Sequence, residues 1–260
     1  MSKTHSFLRI TGMVLLVALA AAPAFAQDGM MAAAERNVSF EGPDGTTLQG
    51  YLATPSGSGP FPGVIMVHEW WGLNRDIARL ADALAREGYV VLAPDAFRGS
   101  VAQDAQGAMQ QVRTTPREQI AGDMDAALDF LRSHELVDGD RVASMGFCFG
   151  GTQSMYMGTR NPELAAVVTF YGSGPITDPD QLGAMDEAGP VLGIFGAEDG
   201  NIPVSEVRGF ERAMNRRGIE NTVTVYDGVG HAFVGSENYD QGGTPTEAWN
   251  QLLGFLEENL

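Results

Sequence analysis

Ala143-Ser144-Met145-Gly146-Phe147-Cys148-Phe149-Gly150-Gly151 is the stretch whose reading decides the fold. The residues before it, Asp140-Arg141-Val142-Ala143, read as the start of a short strand. Those after it, Gly151-Thr152-Gln153-Ser154-Met155-Tyr156, read as the first turns of a helix. The only cysteine of the 260-residue chain therefore sits on a turn between strand and helix, with a glycine two residues to either side. Such a turn is sharp and strained, and a Cβ at either flanking position would collide with neighbouring backbone. A helix that begins directly after the cysteine aims its positive end at the sulfur, which favours thiolate over thiol. A lone cysteine is commonly just a small buried hydrophobe. Paired glycines in a strand–turn–helix context are instead what a presented nucleophile requires.

Outward from that turn, strands and helices alternate. Short strands are expected over 36–40 and 48–53, joined through the hairpin signal Pro43-Asp44-Gly45. Val64-Ile65-Met66-Val67-His68 is a continuous apolar run suited to a strand buried on both faces. Helical spacing of Ile77, Leu80, Ala81 and Leu84 predicts a helix over 75–87, stopped by Gly88. A strand follows over 89–93, then a helix over 118–132 and the nucleophile strand over 142–146. Further strands are expected over 164–171, 191–195 and 221–226, and further helices over 204–217 and 246–256. This alternation implies an α/β fold, a mainly parallel central sheet flanked by helices on both faces. The site then lies at the carboxyl ends of the strands. The polar, Gln-rich stretch 102–119 is expected to be a surface helix and loop, with a cover over the site as the other reading.

The N-terminus is expected to lie outside the fold. Lys3 and Arg9 precede an apolar run over 10–22, and Ala24-Phe25-Ala26 is a small-x-small cleavage signal. Residues 1–26 read as a signal peptide cut after Ala26, 27–35 as a mobile leader and 36–260 as one domain, periplasmic or secreted. Loss of Lys3 and Arg9 takes the formal charge from −17 to −19. So acidic a chain argues against nucleic-acid partners and against stable membrane association. A monomer is expected. A single cysteine forms no internal disulfide, so an exported one is either buried or kept for its reactivity.

Two partners for Cys148 follow in chain order, Asp199 in Gly196-Ala197-Glu198-Asp199-Gly200 and His231 in Gly228-Val229-Gly230-His231-Ala232-Phe233. Each lies in a Gly-rich loop just past an expected strand. Nucleophile, acid, histidine is the order of the α/β-hydrolase triad. His231 would move the proton, while Asp199 would hold the imidazole tautomer and steady its charged form. Glu198 competes as the acid but lies one residue nearer the strand. Oxyanion donors would be the backbone N–H of Phe149 and, from the loop after the apolar strand, that of Trp70. No metal is expected, because Cys148, His68 and His231 lack any short ligand spacing.

Taken together, His68-Glu69-Trp70-Trp71-Gly72-Leu73-Asn74, Pro94-Asp95, Gly146-Phe147-Cys148-Phe149-Gly150-Gly151, Tyr171-Gly172, Gly196-Ala197-Glu198-Asp199 and Gly230-His231-Ala232-Phe233 resemble the dienelactone hydrolase family. The resemblance spans about residues 38–260. It implies a Cys148–His231–Asp199 triad, with Glu69 contacting the resting thiol and helping to generate the thiolate on substrate binding. It also implies hydrolysis of an enol lactone or activated ester through an acyl-enzyme, without a cofactor. Arg98 would match the first of two arginines that hold a substrate carboxylate. The second position is Gly235, and no arginine follows Arg217. A single arginine would hold a carboxylate with less orientation.

The expected partner is thus a small ester or lactone, with Arg98, Trp71 and Phe233 as binding residues. Trp70, Trp71, Phe147, Phe149 and Phe233 would line an apolar pocket, which suits a second reading as a broader carboxylesterase or thioesterase acting on uncharged acyl groups. A non-catalytic binding protein on a hydrolase scaffold would need no triad. An oxidant-sensing thiol would need neither Asp199 nor His231.

Overall fold

The computed structural model describes residues 32–260. The signal-peptide expectation and residues 27–31 of the expected leader lie outside that range. Eight strands form one sheet in the order β1-β2-β4-β3-β5-β6-β7-β8. They are β1 (Val38–Glu41), β2 (Thr47–Ala53), β3 (Phe61–Val67), β4 (Val90–Pro94), β5 (Val137–Phe147), β6 (Ala166–Phe170), β7 (Val191–Gly196) and β8 (Asn221–Tyr226). β1 and β2 form an antiparallel hairpin, and β2 pairs antiparallel with β4. All other neighbours are parallel. Six helices are described: α1 (Arg75–Arg86), α2 (Ala105–Thr114), α3 (Arg117–Arg132), α4 (Phe149–Gly158), α5 (Val204–Arg217) and α6 (Gly243–Asn259), with 3-10 turns within Pro179–Asp186. The result is an α/β fold, a mainly parallel eight-stranded sheet flanked by helices.

The strands nearest the site are buried on both faces, which is why they read as apolar runs. Val64, Ile65, Met66 and Val67 of β3, Val142, Ala143 and Met145 of β5, and all of β6 are sealed from solvent. α1 lays Ile77, Leu80, Ala81 and Leu84 onto this core. The Asn74 side chain caps that helix by accepting from the Ile77 N–H at 3.1 Å. β5 begins at Val137, five residues before the strand expected from its apolar run. Its polar opening, Asp138 to Arg141, is still held in the ladder where Val137 pairs with Phe61.

Residues 32–35, expected to be mobile, are tied down. Ala33 bridges Asn74, Ala34 N–H donates to the Leu73 carbonyl at 3.1 Å, and Arg75 N–H donates to Ala32 at 2.9 Å. Arg36 anchors the segment onto buried Asp95 at 2.7 Å. Local composition is Ala-rich and carries no signal for these tertiary bonds.

Candidate active site

The sequence forces Cys148 into its position. It takes φ +54 and ψ −115 between the end of β5 and the start of α4, a backbone conformation that L residues seldom adopt. A Cβ on Gly146 would overlap the Gly150 carbonyl group, and one on Gly150 would overlap the carbonyls of Val67 and His68. The two glycines therefore let α4 dock against the ends of β3 and β5. Backbone hydrogen bonding locks the turn, since Cys148 N–H donates to Phe170 O at 3.0 Å.

Electrostatics at the sulfur run against the simple helix-end expectation. Burial pushes the Cys148 thiol up to about 12, with the charges of Glu69 and Asp199 adding to it. Backbone N–H groups of Phe149 and Trp70 both donate toward the sulfur and pull the other way. Desolvation and neighbouring carboxylates thus outweigh the helix terminus, and the resting group is a thiol. The two donors come from separate elements, α4 and the loop after β3.

Glu69 follows β3 and keeps partial solvent access. Burial raises its carboxyl to about 7, and the charges of Asp76 and Glu237 push it the same way. Asp76 opens α1, and its Oδ1 accepts from Ser236 N–H at 3.0 Å, tying that helix to the loop after His231.

The acid and the histidine meet as the chain order implies. Asp199 Oδ2 lies 2.6 Å from Nδ1 of His231, with the carboxylate 1% exposed. Its other oxygen accepts from the N–H groups of Asn201 at 2.9 Å and Ile202 at 3.2 Å. Glu198 points to solvent, which removes it as the competing acid. The two loops also bond directly, Glu198 N–H to Val229 O at 2.9 Å. Tyr171, unassigned in the sequence, packs its ring 5.2 Å from that of His231 and donates to Val234 O at 3.0 Å. It sits at φ +39 and is fully buried. Its sequence signal is the Tyr171-Gly172 pair at the end of the expected strand, one of the pieces that carry the family resemblance.

Three expected binding residues need revision or refinement. Arg98 is committed elsewhere. Its Nε and one terminal nitrogen bond both oxygens of buried Asp123 at 2.8 Å, and its other terminal nitrogen reaches Asp44 at 3.1 Å. This fork pins the loop after β4 to α3 and to the β1–β2 turn, and the guanidinium is not poised as a substrate clamp. Phe233 is 9% exposed and packs on Tyr171 and Tyr226, so it belongs mainly to the core. Phe147 is buried in the same way. Trp71, by contrast, stays half-buried with its ring edge-on to Trp70 at 5.1 Å, and Phe149 is half-buried beside Cys148. The stretch 102–119 supplies two helices, and Gln111 of α2 donates its amide to the Trp70 carbonyl.

A cysteine on a strained strand–helix turn and a buried carboxylate holding a histidine, both on loops of an eight-stranded sheet, are the arrangement a hydrolase site requires. Residues 48–260 match the dienelactone hydrolase family, and the chain belongs to it as a dienelactone hydrolase-like carboxylic ester hydrolase. Among similar proteins is protein usf of Aquifex pyrophilus, 34% identical, the match covering 86% of this chain and 98% of that one. An Aquifex aeolicus protein with the provisional name carboxymethylenebutenolidase is 31% identical over the same shares. A solved dienelactone hydrolase-like promiscuous phosphotriesterase from metagenomic libraries is 26% identical. It superposes with a TM-score of 0.73, over 85% of this chain and 97% of that one.

Proposed function

We propose that the chain hydrolyses small, uncharged esters or lactones through a cysteine nucleophile and a thioester acyl-enzyme. The observation that carries this reading is Cys148 held at φ +54 on the turn between β5 and α4, on a sheet whose later loops pair Asp199 with His231 at 2.6 Å. The backbone N–H groups of Phe149 and Trp70, which act on the sulfur in the resting site, would turn to the oxygen of a tetrahedral intermediate.

In the proposed cycle Glu69 takes the thiol proton, leaving a thiolate, and His231 enters carrying a proton on Nε2 that each turnover restores. The thiolate attacks the carbonyl carbon, and the resulting oxyanion accepts from Phe149 and Trp70. As the C–O bond breaks, His231 gives its Nε2 proton to the leaving alcohol. Neutral His231 then takes a proton from water, whose oxygen attacks the thioester. The thiolate leaves, the acid departs, and Glu69 returns the proton to sulfur. Asp199, bonded to Nδ1, keeps Nε2 facing the chemistry and steadies the imidazolium.

The absence of a carboxylate from the substrate rests on the arginines. Arg98 is held by Asp123 and Asp44, and position 235 is glycine. Lys3 is the only lysine in the sequence. Among the described residues no arginine forms an ion pair with Glu69, Asp76 or Glu237. Half-buried Trp70, Trp71 and Phe149 offer an aromatic wall to an apolar acyl group. Export through residues 1–26 is part of the same proposal, and N-terminal sequencing of the secreted protein checks it.

Hydrolysis of short p-nitrophenyl esters and a simple enol lactone, in wild type beside Cys148→Ala and Cys148→Ser, tests the reading. Turnover that disappears in Cys148→Ala supports it. Equal rates in all three proteins would contradict it.

A further inference from the structure

His68 is the one fully buried histidine among the described residues, and the triad does not use it. Its Nδ1 lies 2.6 Å from the carbonyl oxygen of Glu69, and its Nε2 accepts from the Ala96 N–H at 3.1 Å. One nitrogen faces an acceptor and the other a donor. The ring is therefore neutral, with its proton on Nδ1. Burial, which lowers its proton affinity, favours the same form.

The carbonyl it holds belongs to the peptide unit 69–70, whose N–H is that of Trp70. A trans peptide is planar, so its C=O and N–H point in opposite directions. Fixing the Glu69 oxygen on one side therefore aims the Trp70 N–H on the other, toward the sulfur of Cys148. Gly72 N–H also reaches the Glu69 oxygen, at the longer distance of 3.3 Å. The next peptide is braced as well, because Gln111 donates to the Trp70 carbonyl and itself accepts from Ser100 Oγ at 2.8 Å. Ala102 N–H donates to Trp71 O at 2.8 Å. Phe97 closes the assembly, its ring 5.2 Å from that of His68 and 5.1 Å from that of Phe149.

We infer that His68 is a positioning residue for the oxyanion hole, acting through the Glu69–Trp70 peptide, with Gln111 as its second brace. The inference rests on the proposed acyl-transfer reading. Hydrogen bonds in a row polarise one another, so the chain Ala96 N–H, imidazole, Glu69 carbonyl, Trp70 N–H also strengthens the last donor. The ring touches none of the reacting groups, and its effect is on where a donor points.

The experiment compares wild type, His68→Leu, His68→Asn and Gln111→Met with p-nitrophenyl acetate and with an alkyl trifluoromethyl ketone. The ketone forms a tetrahedral adduct on a nucleophilic thiol. His68→Leu should lower kcat about 100-fold with KM within about threefold, because a misaimed donor is lost from the transition state only. Affinity for the ketone should fall in parallel. His68→Asn, which keeps an N–H near the Nδ1 position, should recover most of the loss. If His68→Leu does not fold, Gln111→Met and His68→Asn carry the test, with a kcat-selective loss expected in Gln111→Met. Folded His68→Leu or Gln111→Met with unchanged kcat and ketone affinity would overturn the inference. So would losses that His68→Asn does not relieve, which would mark His68 as merely structural. Persistence of wild-type ester turnover in Cys148→Ala would instead remove the acyl-enzyme reading beneath it.

Discussion

The charge of Glu69 is, after burial, the largest influence pushing the Cys148 thiol up to about 12, and the Glu69 carboxyl is itself raised to about 7. A charged Glu69 makes ionisation of the thiol harder, while burial, Asp76 and Glu237 raise Glu69 itself, so the resting site keeps a proton on sulfur. A thiol held this way resists oxidation and alkylation until a substrate changes its surroundings. Removing the charge in Glu69→Gln should bring the thiol pKa down while slowing ester turnover, because the proton acceptor is gone. Iodoacetamide labelling against pH, set beside kcat, separates the two. Labelling and turnover falling together would count against this arrangement.

The pH dependence of stability has a definite sign. Glu69 is raised from about 4.5 to about 7 on folding, so its contribution is fully present below about pH 4.5 and is lost as pH rises through about 7. Glu69→Gln should match wild-type stability near pH 4 and exceed it by about 2 kcal/mol at pH 8. Denaturant unfolding at both pH values reads this difference directly.

Asp199→Asn should leave the fold intact and lower kcat by about 10³–10⁴-fold, through loss of the carboxylate that holds the His231 tautomer. Steady-state kinetics beside a melting curve distinguishes this from unfolding. A drop of under about tenfold would mean that the Asn201 and Ile202 N–H groups, rather than the imidazole, are the partners that matter.

Arg98→Met breaks a fork onto a carboxylate whose side chain is 2% exposed. It should cost about 3 kcal/mol of stability by leaving Asp123 buried and unpaired. Discrimination between a neutral ester and its carboxylate-bearing analogue should hardly change. A selective rise in KM for the carboxylate analogue would restore Arg98 as a substrate clamp.

Much of this architecture could be read locally. Val204–Arg217 and Asn221–Tyr226 fall at the expected bounds, because an amphipathic period ended by Gly218 and a short run rich in β-branched residues are both complete within their own segments. The elbow was legible because its glycines answer to backbone atoms only a few residues away or at the end of an adjacent strand. What escaped depends on distant partners. Arg98 is claimed by Asp44 and Asp123, 54 and 25 residues away, which no local pattern records. The thiol's shift reflects burial and the carboxylates of other loops, where the sequence displays only the helix that follows it. His68 opens a stretch that carries the resemblance, but its partners are backbone groups of Glu69 and Ala96, and Gln111 likewise bonds a backbone carbonyl, so the motif alone gave neither a role.

The central claim is that acyl transfer passes through the sulfur of Cys148. Rapid mixing with p-nitrophenyl acetate, acid quench within the first turnover and mass analysis of the Cys148 peptide test it most directly. One acetyl group is expected on that cysteine, released by hydroxylamine and formed as fast as the p-nitrophenol burst. Full turnover with no acetyl on Cys148 at any quench time would contradict it.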